Sequence, residues 1–166
     1  MTAGAVLSIR PYDADDLDHV ITIFQRAIRE VASKDYDAAQ IAAWSAVDRQ
    51  EWADHRLSRP TWVAEMDGRP AGFTDFEADG HLDMMFVHPD FLRRGVATAL
   101  LRLVETAARA QGTTRIFTEA SITARPFFLR RGFRLVAAQA VRCNGQTLTN
   151  FRMEKTLGIG AWPTSG

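Results

Sequence analysis

The chain has 166 residues, of which 46% are hydrophobic and 24% are charged, and its formal net charge at pH 7 is zero. This length and balance predict one globular domain with a single apolar core. No apolar run reaches the roughly 18 residues of a membrane span, and the early run over residues 3–7 is too short for a signal peptide, so we expect a cytoplasmic protein with no membrane partner. The only cysteine, Cys143, excludes an internal disulfide and a cysteine-based zinc site, and we expect no metal.

The zero net charge conceals an uneven distribution of charge along the chain. Residues 65–90 carry seven acidic side chains and one basic one, whereas residues 91–152 carry eleven arginines, no lysine and two acidic residues. The planar guanidinium suits phosphate oxygens, so this arginine-rich part predicts a polyanionic ligand. Nucleic acid is the rival interpretation, which apolar residues between the arginines and the lack of a run of five cations disfavour.

In chain order, the pattern first predicts a strand and then three helices. The strand covers residues 6–12, and Asp15-Asp16 caps a helix whose apolar residues recur with helical spacing up to Val31. Asp37 can cap a second helix, and a third helical stretch ends before Pro60.

A hairpin and an alternating strand follow. Residues 61–66 and 69–78 read as strands joined by Asp67-Gly68, a dipeptide that accepts positive φ. Residues 81–87 predict another strand, and because strand side chains alternate, one of its faces carries His81, Asp83, Met85 and Val87.

The second half of the chain alternates helices and strands before a closing hairpin. The predicted elements are a helix over 95–111 that stops at Gly112, a strand over 115–121, a short helix over 123–131, and strands over 133–143 and 146–157 joined by Asn144-Gly145. We find no repeat or linker, so we expect one domain over residues 1–157 and a tail over 158–166. The fold class is mixed α/β, with parallel and antiparallel strands.

The segment over residues 87–98 carries the clearest chemical signal. A strand runs into a loop with small residues at Gly95 and Ala97, and this loop opens a long helix. Unpaired amides at a helix N-terminus favour an anion, so the segment predicts a phosphate site. It is neither a nucleotide P-loop nor a dinucleotide-binding fingerprint, because the glycine and lysine patterns of both are absent.

Two separated motifs support a family resemblance. The pattern (Gln/Arg)-x-x-Gly-x-(Gly/Ala) reads Leu92-Arg93-Arg94-Gly95-Val96-Ala97, and Asn-x-x-Ala-x-x-Phe-Tyr-x-x-x-Gly-Phe matches residues 121–133, from Ser121 to Phe133. With these motifs the chain resembles the GNAT superfamily of acyl-CoA-dependent N-acyltransferases over residues 6–156. The resemblance implies a mixed, mostly antiparallel sheet with a parallel, splayed strand pair and helices on both faces.

The resemblance also implies acetyl-CoA as cosubstrate. The strand before the first motif would pair with the pantetheine arm, and the loop amides would hold the pyrophosphate. The positions that match are Phe86, Val87, Arg93, Arg94, Gly95, Val96, Ala97, Thr98, Ser121, Phe128 and Arg131, with Arg130 as a further candidate for a phosphate contact.

Three positions depart from the family pattern. Leu92 replaces the Gln or Arg that begins the first motif, and Ser121 replaces Asn. Phe128 stands where many members carry the tyrosine that protonates the departing thiolate. Either water, Ser121 or Tyr36 donates that proton, or a thiolate with a pKa near 8.5 leaves without a donor.

An amine attacks a thioester only when it is neutral, so we expect a base. His81 and Asp83 lie just before the strand that the resemblance assigns to pantetheine, and Glu119 lies on the next predicted strand. We favour Glu119, because its strand is otherwise apolar, and Asp83 with Glu119 would attract a cationic amine. Family members cover the acceptor with the N-terminal helices and the closing hairpin, which nominates Tyr36, Trp44, Trp52 and Asn150.

The function these observations predict is acetyl transfer from acetyl-CoA to a primary amine by direct attack in a ternary complex. A peptide N-terminus, a lysine side chain, a polyamine, an aminoglycoside-like drug and an amino acid all fit as acceptor, and a homodimer is left open. A coenzyme A-binding module without activity would explain Leu92 and Phe128 together. A nucleic-acid-binding protein would explain the arginines but not the second motif.

Overall fold

The computed structural model describes residues 4–158, so the predicted tail from residue 159 onward lies outside the described residues. The strands are β1 (Leu7–Pro11), β2 (Thr61–Met66), β3 (Arg69–Asp75), β4 (Met85–Val87), β5 (Arg115–Ser121), β6 (Arg134–Cys143) and β7 (Gln146–Thr156). The helices are α1 (Leu17–Glu30), α2 (Ala38–Trp44), α3 (Arg49–Ser58), α4 (Val96–Ala110) and α5 (Arg125–Arg130). Within the described residues, every helix is too short or too polar to span a bilayer.

The strands form two antiparallel sheets, and the predicted mixed α/β class is confirmed. One sheet has the order β1-β2-β3-β4 and the other the order β5-β7-β6. Their hairpin turns follow the sequence signal, since Asp67-Gly68 and Asn144-Gly145 adopt positive φ at all four residues.

The two sheets are joined at a short parallel contact and then diverge. The Leu82 amide donates to the Phe117 carbonyl at 2.9 Å, and the Phe117 amide donates to the Gly80 carbonyl at 3.0 Å. Beyond this bridge, the described residues show no ladder between β4 and β5. The edges of β4 and β5 that face each other therefore have backbone groups free for a ligand.

Helices cover both faces of the first sheet. Phe73 packs with α1 in one apolar cluster. Gly72, the preceding residue, faces α4, because a Cβ placed there would lie 2.8 Å from Val96 Cγ1 and 2.9 Å from the Phe86 carbonyl. Only glycine lets α4 approach β3 and β4 this closely.

Three local predictions need correction. The strand expected over 81–87 survives only as β4, because Asp75 Oδ1 accepts from the amides of both Asp83 (3.0 Å) and Met84 (2.9 Å) and so draws this backbone out of a regular ladder. The strand expected over 69–78 ends at Asp75, after which the Phe76 amide donates to the Pro60 carbonyl and the Glu77 amide donates to the His81 carbonyl. The first helix is preceded by a 3-10 turn whose cap is Asp13, and Asp16 is its capping-box partner.

Candidate active site

The divergence of β4 and β5 opens a cavity of about 270 Å³, here called the splay cavity. Its walls come from β4, β5, α1, α5 and the first turn of α4. The predicted cofactor residues Phe86, Val87, Ala97, Ser121 and Phe128 all line it. The structure therefore brings these separated predicted residues together around one space.

The loop before α4 has the geometry of an anion site. Arg93 (φ 61°) and Gly95 (φ 80°) are both left-handed, and a Cβ on Gly95 would meet no atom within 4 Å. Among the described residues, the amides of 93–98 donate to no acceptor in the protein. These amides and the positive end of α4 can hold a phosphate at the mouth of the splay cavity.

Arg131 contacts the first turn of α4, next to this loop. Its guanidinium donates to Thr98 Oγ1 at 2.7 Å and lies over the Phe127 ring, 5.2 Å from the centroid. Arg93, Arg94 and Arg130 are exposed. Their positive charge makes the electrostatic potential around the loop more positive, and this effect does not require a hydrogen bond to a fixed partner.

A second cavity, of about 280 Å³, lies under the β6–β7 hairpin and is here called the hairpin cavity. Three of the predicted acceptor residues, Tyr36, Trp44 and Asn150, line it. The fourth, Trp52, lies in the core, 9% exposed, with its ring centroid 4.6 Å from that of Phe24. Trp52 is thus a packing residue and lines neither cavity.

The two cavities share one boundary, whose residues line both of them: Trp44, Asp83, Phe86, Glu119 and Ser121. A ligand entering past the α4 loop and a second ligand entering under the hairpin would meet there. The polar groups of these side chains are two carboxylates, one hydroxyl and the indole N–H of Trp44.

Glu119 is the end of a line of charged side chains. Its Oε2 lies 2.6 Å from His81 Nε2, and His81 Nδ1 lies 2.8 Å from Glu77 Oε1. Arg59 donates to the same Glu77 oxygen at 2.7 Å. His81 also stacks on Phe117, with ring centroids 4.9 Å apart. His81 lines neither cavity and stands behind Glu119.

This line controls the ionisation of both residues. The hydrogen bond to Glu119, helped by Glu77 and opposed by partial burial, raises the pKa of His81 to about 9. In return, the hydrogen bond from His81 lowers the pKa of Glu119. At neutral pH the pair is therefore an imidazolium and a carboxylate that hold one proton between them.

Asp83 sits beside this pair on an irregular backbone segment. Arg59 approaches its Oδ2 at 3.4 Å, and its amide donates to the buried Asp75. Asp75 pairs at 3.0 Å with Arg56, and both side chains are almost fully buried. Burial raises the pKa of Asp75, and the positive charge of Arg56 opposes that rise. This buried pair fixes the segment that carries Asp83.

The structure distinguishes between the side chains considered as proton donors to the thiolate. The Phe128 ring lines the splay cavity at the family's tyrosine position and packs against Phe133. Tyr36 donates its hydroxyl proton to the Thr149 carbonyl at 2.6 Å and accepts from the Ile122 amide, so that proton is already used. Ser121 Oγ accepts from the Ala124 amide at 3.0 Å, which leaves its own proton for a ligand.

Sequence reasoning missed the residues behind the meeting point. Glu77 is one acidic residue among several, four positions before His81, and nothing in the sequence marks Arg56 and Asp75 as buried. The available signal was weak. Polar residues within otherwise apolar strands and helices need partners, but their distance along the chain hides which residues these are.

Two kinds of cofactor can be tested against these residues. The loop amides and the free edge of β4 suit an elongated ligand with a pyrophosphate. Ligand atoms of His81, Asp83 and Glu119 lie within 4.8 Å of one another, a nitrogen and oxygen set that a divalent cation can use. Both His81 nitrogens, however, already bond to carboxylates, which accounts for the cluster without an ion.

Comparisons with known proteins agree with this geometry. A family model described as an acetyltransferase (GNAT) domain matches residues 32–157. The chain is 38% identical over 147 residues to the uncharacterised N-acetyltransferase YafP of Escherichia coli strain K12, which covers 89% of this chain and 94% of that protein.

Solved structures show the same fold. A GCN5-related N-acetyltransferase from Rhodopseudomonas palustris is similar with a TM-score of 0.88 and 34% identity, over 90% of this chain and 95% of that one. The PaiA N-acetyltransferase of Thermoplasma acidophilum, solved in complex with coenzyme A, has a TM-score of 0.71 and 16% identity, over 91% of this chain and 99% of that one. The second likeness concerns the fold alone.

Proposed function

The chain belongs to the GNAT family of acetyltransferases, and from that premise we propose that it transfers the acetyl group of acetyl-CoA to a primary amine by direct attack in a ternary complex. The observation that carries this proposal is the shared boundary of the two cavities at Asp83, Glu119 and Ser121. It offers one point where a thioester and an amine can meet. Membership of this family favours an enzyme. It disfavours the alternative of an inactive coenzyme A-binding module, which would have explained Leu92 and Phe128.

We assign the splay cavity to acetyl-CoA. The amides of residues 93–98, with Arg131 beside them, would hold the pyrophosphate, and the free edge of β4 at Phe86 and Val87 would pair with the pantetheine amides. Bound there, acetyl-CoA supplies an activated thioester. The apolar walls of the cavity would keep water away from the reacting carbon.

The reaction needs a neutral amine. The amine nitrogen forms a bond to the acetyl carbonyl carbon, the carbon–sulfur bond breaks with its electron pair on sulfur, and one proton leaves the nitrogen. The carboxylates of Asp83 and Glu119 attract the ammonium form of the acceptor. Glu119 faces the cavities, so it is our candidate for the group that touches the nitrogen.

Above the pKa of His81, about 9, the amine proton can pass through Glu119 to His81. The pair already holds one proton at neutral pH, and it becomes a base when that proton leaves with a pKa of about 9. Transfer from an alkylammonium with a pKa near 10.4 then costs roughly 2 kcal/mol. His81 and Glu77 act as positioning residues, because neither touches the substrate: His81 lowers the pKa of Glu119 and receives its proton, and Glu77 holds the other side of the His81 ring.

The thiolate is left without a tyrosine. Phe128 cannot donate a proton, and Tyr36 has used its own. Ser121 lines both cavities and is our candidate for a hydrogen bond to the departing sulfur. A thiol pKa near 8.5 makes full protonation unnecessary at this step.

A pair of glycine variants tests the cofactor assignment. Gly95 and Gly112 lie at opposite ends of α4, both with positive φ (80° and 79°) and both with no atom within 4 Å of an added Cβ. Gly95→Glu places an anion against the phosphate loop, so it should abolish the thermal stabilisation by acetyl-CoA. Gly112→Glu carries the same backbone strain and should retain it. Equal stabilisation in both variants would refute the loop assignment.

Turnover is tested separately. Wild-type protein with acetyl-CoA and a panel of primary amines should release thiol, followed colorimetrically. Binding of acetyl-CoA without release for any amine would refute the transferase proposal while leaving the cofactor site intact.

A further inference from the structure

We infer that the hairpin cavity selects a compact amine with an apolar, ring-sized body and no carboxylate, and that Asn150 accepts a hydrogen bond from that amine. This inference rests on the proposed function, because it assigns the acceptor to the hairpin cavity. It narrows the acceptor classes that the sequence left open.

Charge is the first argument. Asp83 and Glu119 line the cavity, and no lysine, arginine or histidine of residues 4–158 does. Arg59 reaches Asp83 from outside, and Arg152, opposite Glu119 in the β5–β7 register, is exposed and is not a lining residue. A carboxylate on the acceptor would therefore face two carboxylates whose partner cations, Arg59 and the His81 imidazolium, lie outside the cavity lining, which disfavours an amino acid.

Shape and polarity are the second argument. Aromatic rings form a continuous wall, with centroid distances of 5.4 Å between Tyr36 and Trp44 and 6.3 Å between Trp44 and Phe86. Leu148 and Val141 close the hairpin side. The volume of about 280 Å³ lies at the small end of ligand pockets, which disfavours an aminoglycoside-like molecule. A polyamine would bury further ammonium groups against these apolar walls.

Asn150 is the third argument. Its Oδ1 is buried without a hydrogen-bond partner among the described residues. Asn150 lies opposite Ser121 and is a diagonal neighbour of Glu119, a relation that places the two residues about 7–8 Å apart. A neutral primary amine has two N–H groups, so one can donate to Glu119 and the other to Asn150 while the lone pair attacks. Such an arrangement disfavours secondary amines.

Matched probes test the inference on the enzyme saturated with coenzyme A or acetyl-CoA. Calorimetric affinity and kcat/KM are measured for phenethylamine, for phenylalanine, which adds only a carboxylate, for spermidine, and for N-methylphenethylamine, which removes one N–H. We expect the affinity and the kcat/KM for phenethylamine to exceed those for phenylalanine by about 100-fold or more, because the carboxylate of phenylalanine would lie close to two like charges. An affinity for phenylalanine or for spermidine equal to that for phenethylamine would overturn the inference.

Asn150→Leu keeps the side-chain size and removes the acceptor oxygen. It should raise KM for phenethylamine about 10-fold, leave KM for acetyl-CoA unchanged, and abolish the preference over the N-methyl amine. The control is Gln139→Leu, because Gln139 pairs with Asn150 in the β6–β7 register but does not line the cavity. Equal behaviour of the two variants would overturn the role of Asn150. The calorimetric arm is independent of turnover, whereas failure of the proposed function would show as no thiol release with any amine.

Discussion

The hydrogen bond between Glu119 and His81 gives the most quantitative prediction. Glu119→Gln keeps the size of the side chain and its ability to accept from His81 Nε2, now 2.6 Å from Oε2, but it removes the negative charge. Glu119 contributes most to the raised pKa of His81. We therefore expect the pKa of His81 to fall from about 9 by at least about one pH unit in the variant.

The same interaction predicts a stability change with a defined pH window. A pKa of about 9 against an ordinary 6.5 corresponds to roughly 3 kcal/mol. Since the Glu119 side chain is 36% exposed, solvent screening reduces the share lost in Glu119→Gln to about 1–2 kcal/mol. His81 has a raised folded pKa, so its contribution is fully present below pH 6.5 and is lost as pH rises through 9. The variant should be less stable than wild type at pH 6 and equally stable near pH 10.

Three measurements check this reasoning. Proton NMR follows the titration of the His81 ring, and urea unfolding at pH 6 and pH 10 follows stability. If Glu119 touches the amine, kcat/KM should also fall by about 10²–10⁴, and the wild-type pH profile should rise to a plateau near pH 9. Glu77→Gln is the control, with a smaller fall in the pKa of His81. An unchanged His81 titration in Glu119→Gln would refute the assigned pair, and unchanged kcat/KM would refute the base.

The other predictions concern the thiolate and the buried ion pair. Phe128→Tyr should change kcat by less than a few-fold, because thiolate protonation is not limiting; a gain of about 10²-fold in steady-state assays would contradict this. Ser121→Ala should lower kcat by less than about 10-fold without changing KM for the amine, and a larger loss would make Ser121 a required donor. Arg56→Met leaves Asp75 buried and unpaired and should cost about 3–5 kcal/mol in urea unfolding, whereas Arg56→Met with Asp75→Asn should recover part of it. Equal stability of the single and double variants would show that the pair is not coupled.

Several features of this protein follow from short stretches of sequence. The hairpin turns at Asp67-Gly68 and Asn144-Gly145 are predictable because these residues accept positive φ, and α1 and α4 are predictable because their apolar faces recur every three or four residues. The backbone of the loop at Gly95, with its positive φ and the helix start that follows, is predictable for the same local reason, whereas the anion site there stays a prediction.

Tertiary structure alone decided which side chains meet. His81, Glu119 and Glu77 form one line only because the backbone bridge at Phe117 places two distant strands side by side before they diverge. Trp44 and Trp52 have similar helical surroundings in the sequence, yet one lines both cavities and the other fills the core. Local patterns specify backbone conformation through interactions a few residues apart. Burial, charge pairing and cavity lining depend on contacts between residues far apart in the chain, and a pattern in one segment carries no information about its partner.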